Sequence, residues 1–161
     1  FIAEVKSFFK KTILLSGCIS TGRDIASALQ MGADLAYIGT RLINTTEANA
    51  PEEYKEMIRE SGATDVIYTA AISGVNANFL KKSLENNGIT SEMLESKAKI
   101  DFGKELDAGQ AEAKAWKTVW SAGQGVASIN DILPLKYLVM RLKTEFSEAI
   151  ISQQKWLEVY K

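Results

Sequence analysis

Histidine is absent from the 161-residue sequence, and cysteine occurs once, as Cys18. The lack of histidine removes the commonest general base and the commonest metal ligand, so we predict no metal site. A single cysteine excludes a framework of intrachain disulfides and is typical of a protein from a reducing compartment. We therefore predict a cytoplasmic location.

The sequence also lacks a large net charge of either sign, and it lacks long apolar runs. The formal net charge is −1, which gives no general attraction to nucleic acid or to an anionic membrane surface. No apolar run approaches the roughly 20 residues that span a bilayer, and no signal peptide is visible. The sequence contains 46% hydrophobic and 24% charged residues. This composition is typical of a globular domain with a substantial core.

An initiating methionine is also absent, and the first residues, FIAEVKSFFKK, resemble the interior of a longer protein. We expect an N-terminal part that this sequence does not contain. The same residues predict the end of a helix with Ile2, Val5, Phe8 and Phe9 on one face.

The most informative stretch is residues 12–40, where two apolar segments flank a short helix. Residues 13–15 predict a strand, and residues 33–38 predict a second, buried strand. Thr21 and Gly22 open the helix between them, and Gly32 stands where a left-handed residue ends a helix. The stretch therefore predicts a βαβ unit with two parallel strands.

Small residues follow both predicted strands: Ser16, Gly17 and Cys18 follow the first, and Gly39 and Thr40 follow the second. Such loops leave backbone N–H groups uncovered at neighbouring strand ends, which suits an anion and most often a phosphate. We predict that these five residues form a phosphate site. The alternative is that the glycines serve ordinary turns.

Three nearby residues bear on this prediction. Gly22, at the start of the helix, could add a further amide, and Arg41 follows the second loop directly. Cys18 lies close to a helix N-terminus, where a thiol can become nucleophilic. Because no histidine can act as its partner, we interpret Cys18 as a small residue in a tight turn.

The remainder of the chain is mostly helical by its apolar spacing. The pattern predicts helices at 51–61, 78–87 and 110–119, an extended segment at 65–72, and a long helix over about 133–153. Only two parallel strands are evident, and two strands cannot bury both faces of a parallel sheet. We therefore predict an α/β fold that is the C-terminal part of an α/β barrel, whose last strands commonly bind phosphate.

A second glycine loop lies at residues 120–126, WSAGQGV. Gly123 and Gly125 would allow the backbone to approach a flat ligand closely, and the amide of Gln124 can both donate and accept hydrogen bonds. A plain connecting loop before the last helix explains the spacing equally well.

Two segments resemble one family. Residues 16–41, SGCISTGRDIASALQMGADLAYIGTR, are similar to the flavin-phosphate segment of the nitronate monooxygenase family, formerly 2-nitropropane dioxygenases. The loop WSAGQGV before the long helix resembles that family's last signature. Other phosphate-binding barrels, such as inosine-monophosphate dehydrogenase and α-hydroxy-acid oxidases, share the first segment, whereas its GTR ending and the later loop narrow the assignment. The resemblance covers residues 5–149 and only the C-terminal half of a family member.

The resemblance implies FMN as the cofactor. Residues 16–18 stand at the first phosphate loop of the family, residues 39–40 at the second, and residues 123–125 at a loop that nears the flavin. The implied cofactor-binding residues are Ser16, Gly17, Cys18, Gly39, Thr40, Gly123, Gln124 and Gly125. Cys18 replaces the second of the family's paired glycines. The family's catalytic histidine belongs to its N-terminal half, so the catalytic residues of this protein are unknown.

The resemblance also implies a domain order. Residues 1–50 would supply the last two strands of a TIM-like (β/α)8 barrel, residues 51–128 a mostly helical cap inserted after the last strand, and residues 129–161 a helix that returns to the barrel. The N-terminal barrel half would be a part of the same parent chain or a separate partner, and a homodimer is a further expectation.

The function expected from the resemblance is FMN-dependent oxidation of alkyl nitronates by O2, with this chain alone inactive. Relatives that reduce enoyl thioesters or oxidise NADH provide a second hypothesis. A barrel enzyme that binds a phosphate ligand without flavin is a third. The fourth is a non-catalytic fragment whose exposed sheet edge pairs with a partner chain.

Overall fold

The computed structural model describes residues 1–72, 75–95 and 118–160, in two compact units. The first unit combines Phe1–Asn49 with Ser128–Lys161, and the second is Ala50–Ala127. Most of the helix predicted at 110–119 lies outside the described residues. None of the described helices combines the length and the apolar character that a bilayer crossing requires.

The first unit begins with the predicted βαβ arrangement. Its elements are helix α1 at Ile2–Phe8, strand β1 at Leu14–Ser16, helix α2 at Gly22–Gln30, strand β2 at Leu35–Tyr37 and the short helix α3 at Thr40–Ile43. Strands β1 and β2 pair in parallel, with Leu14 opposite Leu35 and Ser16 opposite Tyr37. The predicted strand–helix–strand order is therefore confirmed.

Local chemistry explains both ends of α2. The Thr21 side chain accepts a hydrogen bond from the Asp24 amide, and the Asp24 carboxylate accepts one from the Thr21 amide. This reciprocal pair satisfies amides that a helix start leaves without intrahelical partners. After the helix, Gly32 has a φ of +99°, so the chain turns there in a conformation that favours glycine, as predicted.

The burial predicted for the second strand is wrong at Leu35 and Tyr37, and the first strand is exposed in the same way. Leu14, Leu35 and Tyr37 are each more than half exposed, while Leu15 and Ala36 on the opposite face are half-buried. Helix α2 packs on β2, so it covers a single face of this two-stranded sheet. An apolar run predicts burial only when layers are present on both faces, and the second layer is missing from the described residues.

A long final helix, Leu135–Val159, completes the first unit and packs against α2. Its core contacts include Leu138 and Leu142, which are buried as the apolar pattern predicts. Leu135 and Val139, from the same predicted stripe, are 40% exposed. The helix extends six residues beyond the predicted end. In α1, the predicted apolar face is also incomplete, because Phe8 is 72% exposed.

The second unit contains helix α4 at Glu52–Glu60, a 3₁₀ turn at Ala63–Asp65, strand β3 at Val66–Thr69, strand β4 at Ala77–Leu80, and helices α5 at Lys81–Asn86 and α6 at Ser91–Glu95. We label the final helix, Leu135–Val159, α7. The core cluster of the second unit consists of Ile72, Phe79, Leu84, Ile89 and Val119.

The helix predicted at 78–87 begins later than expected, because Ala77–Leu80 forms a strand. Strand β4 pairs antiparallel with β3, placing Leu80 opposite Val66. On its other side, the Leu80 amide donates to the Trp120 carbonyl at 2.9 Å. Pairing with residues distant in sequence therefore overrides the helical spacing of the apolar side chains.

Candidate functional site

The two predicted phosphate loops leave the same edge of the parallel sheet. Ser16, the last residue of β1, is paired with Tyr37, the last residue of β2. Gly17 and Cys18 follow the first strand, and Gly39 follows the second after one intervening residue. Because the carboxyl ends of parallel strands share one edge, the two loops are neighbours there.

The space in front of both loops is open. A Cβ atom added to Gly17 or to Gly39 would meet no atom within 4 Å. Ser16 and Cys18 are exposed, and Thr40 is half-buried. A phosphate monoester needs backbone or hydroxyl donors with room beside them, and the open space at Gly17 and Gly39 provides the room. The residues present therefore fit the phosphate end of FMN.

Cys18 is strained within the first loop. Its φ is +54°, and it follows Gly17 with a φ of +103°. Positive φ places the Cβ of an L-residue too close to the following carbonyl, so glycine is favoured at such positions. The sharp turn explains why small residues occur here, and it agrees with the interpretation of Cys18 as a turn residue.

Replacing Cys18 by glycine is expected to raise the free energy of unfolding by about 0.5–1 kcal/mol. Removing the left-handed strain gains about 1–2 kcal/mol, and the greater freedom of glycine in the unfolded chain offsets part of that gain. Urea denaturation followed by circular dichroism measures the change. Cys18→Ala is the matched control, because alanine keeps the Cβ and hence the strain. If Cys18→Gly and Cys18→Ala had equal free energies of unfolding, the assignment of backbone strain to Cys18 would be contradicted.

The start of α2 does not offer the amide that the sequence suggested. The Gly22 amide donates to Oε2 of Glu145, on α7, at 2.7 Å. The amides of Ser20 and Thr21 donate to Oδ2 of Asp24 at 2.9 and 2.8 Å. Carboxylates of the chain itself therefore occupy the positive end of this helix, and the idea that Gly22 contributes to the phosphate site is wrong.

Arg41 is buried rather than directed at a ligand, with 3% of its surface exposed. Its Nη1 donates to the Asp131 carbonyl at 2.9 Å and its Nη2 to Asp131 Oδ1 at 2.6 Å. The second carboxylate oxygen, Oδ2, accepts from Nη1 of Arg141 at 2.6 Å. Sequence reasoning missed Asp131 and Arg141, because they lie 90 or more residues from Arg41 and no local motif links them.

The second glycine loop belongs to the second unit, where it is more regular than predicted. Residues Gln124–Ser128 form a 3₁₀ helix, because the Val126 amide donates to the Gly123 carbonyl at 3.1 Å and the Val126 side chain is fully buried. Gln124 is exposed, whereas Gly123 and Gly125 are half-buried. The assignment of these three residues to flavin binding stays a prediction.

Tyr54 anchors the segment before this loop. Its phenol donates to the Ser121 carbonyl, and its ring stacks on Trp120 with centroids 5.1 Å apart and an angle of 13° between the planes. Burial raises the pKa of Tyr54 above its ordinary value. The phenol therefore remains a protonated donor at neutral pH.

Comparison with known proteins identifies the family. A sequence model of the nitronate monooxygenase family matches residues 2–145. A nitronate monooxygenase from Paraburkholderia phytofirmans is 33% identical over 144 residues, which are 86% of this chain and 38% of that protein. A putative monooxygenase from Mycobacterium tuberculosis is 25% identical over 148 residues. The chain thus spans about two fifths of the length of these relatives.

Two solved structures are also similar. The nitroalkane oxidase from Streptomyces ansochromogenes superposes with a TM-score of 0.69 at 27% identity, over 94% of this chain and 44% of that one. FabK from Thermotoga maritima superposes with a TM-score of 0.71 at 21% identity, over 96% of this chain and 50% of that one, which shows a shared fold alone. Because the family model matches most of the sequence, the chain belongs to the nitronate monooxygenase family.

Proposed function

We propose that this chain is the C-terminal half of an FMN-dependent barrel oxidoreductase of the nitronate monooxygenase type. The single observation that carries the proposal is the pair of small-residue loops at one edge of the β1–β2 sheet, with open space at Gly17 and Gly39. Family membership supports the same cofactor and chemistry. The reaction proposed for the complete protein is the oxidation of alkyl nitronates by O2.

The described residues contribute binding and orientation. Ser16, Gly17, Cys18, Gly39 and Thr40 would hold the FMN phosphate through their loops, and FMN when bound supplies the redox chemistry. The resemblance assigns residues 123–125 to the wall of the flavin pocket. No catalytic base is assigned, because the sequence contains no histidine.

The proposed architecture places residues 1–50 and 129–161 in a TIM-like barrel and residues 51–128 in its cap. The exposure of Leu14, Leu35 and Tyr37 supports this proposal, since a parallel sheet in a barrel is covered on both faces. An N-terminal barrel half, in the same parent chain or in a separate one, would supply the remaining strands and cover these side chains.

The test is to purify the complete protein and record its absorption spectrum after gel filtration. We expect flavin bands at about 370 and 450 nm, release of FMN on denaturation, and oxygen uptake that depends on an alkyl nitronate. The 161-residue chain alone is expected to turn over no nitronate. A complete protein without flavin that binds another phosphate ester would indicate a different barrel enzyme, and steady oxygen uptake by the short chain would contradict its inactivity.

A further inference from the structure

We propose that the ion pair between Arg41 and Asp131 is a positioning clasp, which holds the second phosphate loop, Gly39 and Thr40, in its binding conformation. The inference rests on the FMN-phosphate site proposed above. It assigns to Arg41 an indirect role, because its side chain contacts Asp131. Its effect would reach the ligand through the backbone of the loop that precedes it.

The burial of Arg41 separates this pair from an ordinary surface salt bridge. Its side chain is 97% buried, and the guanidinium makes two hydrogen bonds to one residue, to the carbonyl and to the carboxylate of Asp131. Arginine is almost never buried without such pairing, because removing its charge from water costs several kcal/mol. Two bonds from a rigid guanidinium also fix the direction of the side chain, which a single contact would not do.

The clasp acts immediately beside the phosphate loop. Arg41 is the second residue of α3, Thr40–Ile43, and the Leu42 amide donates to the Gly39 carbonyl at 2.9 Å. A shift of the Arg41 backbone therefore moves Thr40 and the turn at Gly39 with it. Helix α3 has only one turn and cannot hold this position by its own hydrogen bonds.

Further contacts continue the attachment beyond the clasp. Thr45 forms a parallel bridge with Leu133, and the Thr46 amide donates to the Leu133 carbonyl at 3.0 Å. The Glu47 carboxylate accepts from the Leu135 amide at 2.8 and 3.0 Å, capping the start of α7. These contacts begin four residues after Arg41, so among them the clasp lies nearest to Gly39 in the sequence.

Arg141 provides an internal control. It donates to the other carboxylate oxygen of Asp131 at 2.6 Å, but its side chain is 42% exposed and lies on α7, away from residues 39–40 in sequence. Arg141→Met thus removes the same charge from the same carboxylate while leaving both bonds between Arg41 and Asp131 in place. Comparing Arg141→Met with Arg41→Met therefore distinguishes the positioning of the phosphate loop by Arg41 from the loss of a positive charge near Asp131.

The experiment compares FMN with riboflavin, which has the same ring system but no phosphate. Binding to the complete apoprotein is followed by quenching of flavin fluorescence, and thermal unfolding is recorded for every variant. For Arg41→Met we expect the Kd for FMN to rise about tenfold, because a misplaced loop loses charge-assisted hydrogen bonds to the phosphate. The Kd for riboflavin is expected to stay within about twofold of the wild-type value.

Arg41→Lys keeps the charge without the two-pronged geometry, and it serves as the folded variant if Arg41→Met does not fold. We expect it to lose most of the preference for FMN as well, whereas Arg141→Met keeps the preference within about twofold. If Arg41→Lys kept the full preference for FMN over riboflavin, the preference would depend on charge alone, and the clasp would be overturned. The clasp would also be overturned if Arg141→Met lost as much of that preference as Arg41→Met.

The remaining outcomes separate the two proposals. A wild-type protein that binds FMN and riboflavin equally well overturns the phosphate site and the clasp together. A wild-type preference for FMN that survives Arg41→Met overturns the clasp alone. Equal weakening of FMN and riboflavin in Arg41→Met shows that Arg41 supports the whole fold rather than the phosphate loop, and this also overturns the clasp.

Discussion

Replacing Gly22 by alanine is expected to lower the free energy of unfolding by about 3 kcal/mol or more. A Cβ at Gly22 would lie 2.1 Å from the Leu142 carbonyl oxygen, 2.4 Å from the Phe146 amide nitrogen and 2.7 Å from the Glu145 Cβ. Two of these atoms belong to the backbone of α7 and cannot rotate away. Helices α2 and α7 would have to separate, which also breaks the hydrogen bond from the Gly22 amide to Glu145.

Urea denaturation of wild type and variant measures this change. Gly62→Ala is the matched control, because a Cβ there would approach only the Asp65 carboxylate, at 3.6 Å, and the φ of Gly62 is −102°. We expect that control to change the stability by less than about 1 kcal/mol. A Gly22→Ala variant as stable as Gly62→Ala would show that the close crossing of α2 and α7 is not tight in solution.

Replacing Gly39 by glutamate is expected to raise the Kd for FMN by at least about 100-fold. A Cβ at Gly39 meets no atom within 4 Å, so the side chain extends into the space proposed for the phosphate. Like charges about 4 Å apart near a protein surface repel by about 4 kcal/mol, which corresponds to a factor of about 1,000 in affinity. The value of 100 allows for partial rotation of the glutamate away from the ligand.

Fluorescence titration with FMN and with riboflavin tests this expectation in the complete protein. Gly39→Gln has the same shape without the charge and is expected to weaken FMN binding less than Gly39→Glu does. Both variants are expected to bind riboflavin with similar affinity, because it carries no phosphate. Unchanged FMN affinity in Gly39→Glu would place the phosphate elsewhere and contradict the proposed site.

The success of the sequence-based prediction differed with the range of the interactions involved. Apolar runs and glycines located β1, α2 and β2 correctly, and the parallel pairing of the two strands followed from the helix between them. The strand Ala77–Leu80 was missed, because its apolar residues also fit a helix and its ladder partner is β3. Burial of Leu35 was also predicted wrongly, since it depends on a second layer that a local pattern does not report.

In the candidate site, too, features that depend on local sequence were predicted, and contacts between distant residues were not. The small residues at 16–18 and 39–40 drew attention from the sequence alone, because turns and close approach to an anion require them. The engagement of Arg41 by Asp131 was not predictable, nor was the occupation of the Gly22 amide by Glu145. These partners are separated by 90 and 123 residues, so only the folded chain brings them together.

By itself, the sequence determined the βαβ unit, the reciprocal cap between Thr21 and Asp24, and the left-handed turn at Gly32. Backbone sterics and hydrogen bonds between residues three or four apart decide the cap and the turn, and the order of apolar runs and glycines along the chain indicates the βαβ unit. Only the tertiary structure decided that Arg41 is held by Asp131 and that α2 begins against the backbone of α7. Those contacts arise from how helices and loops pack, and packing selects its partners by position in space rather than by spacing along the chain.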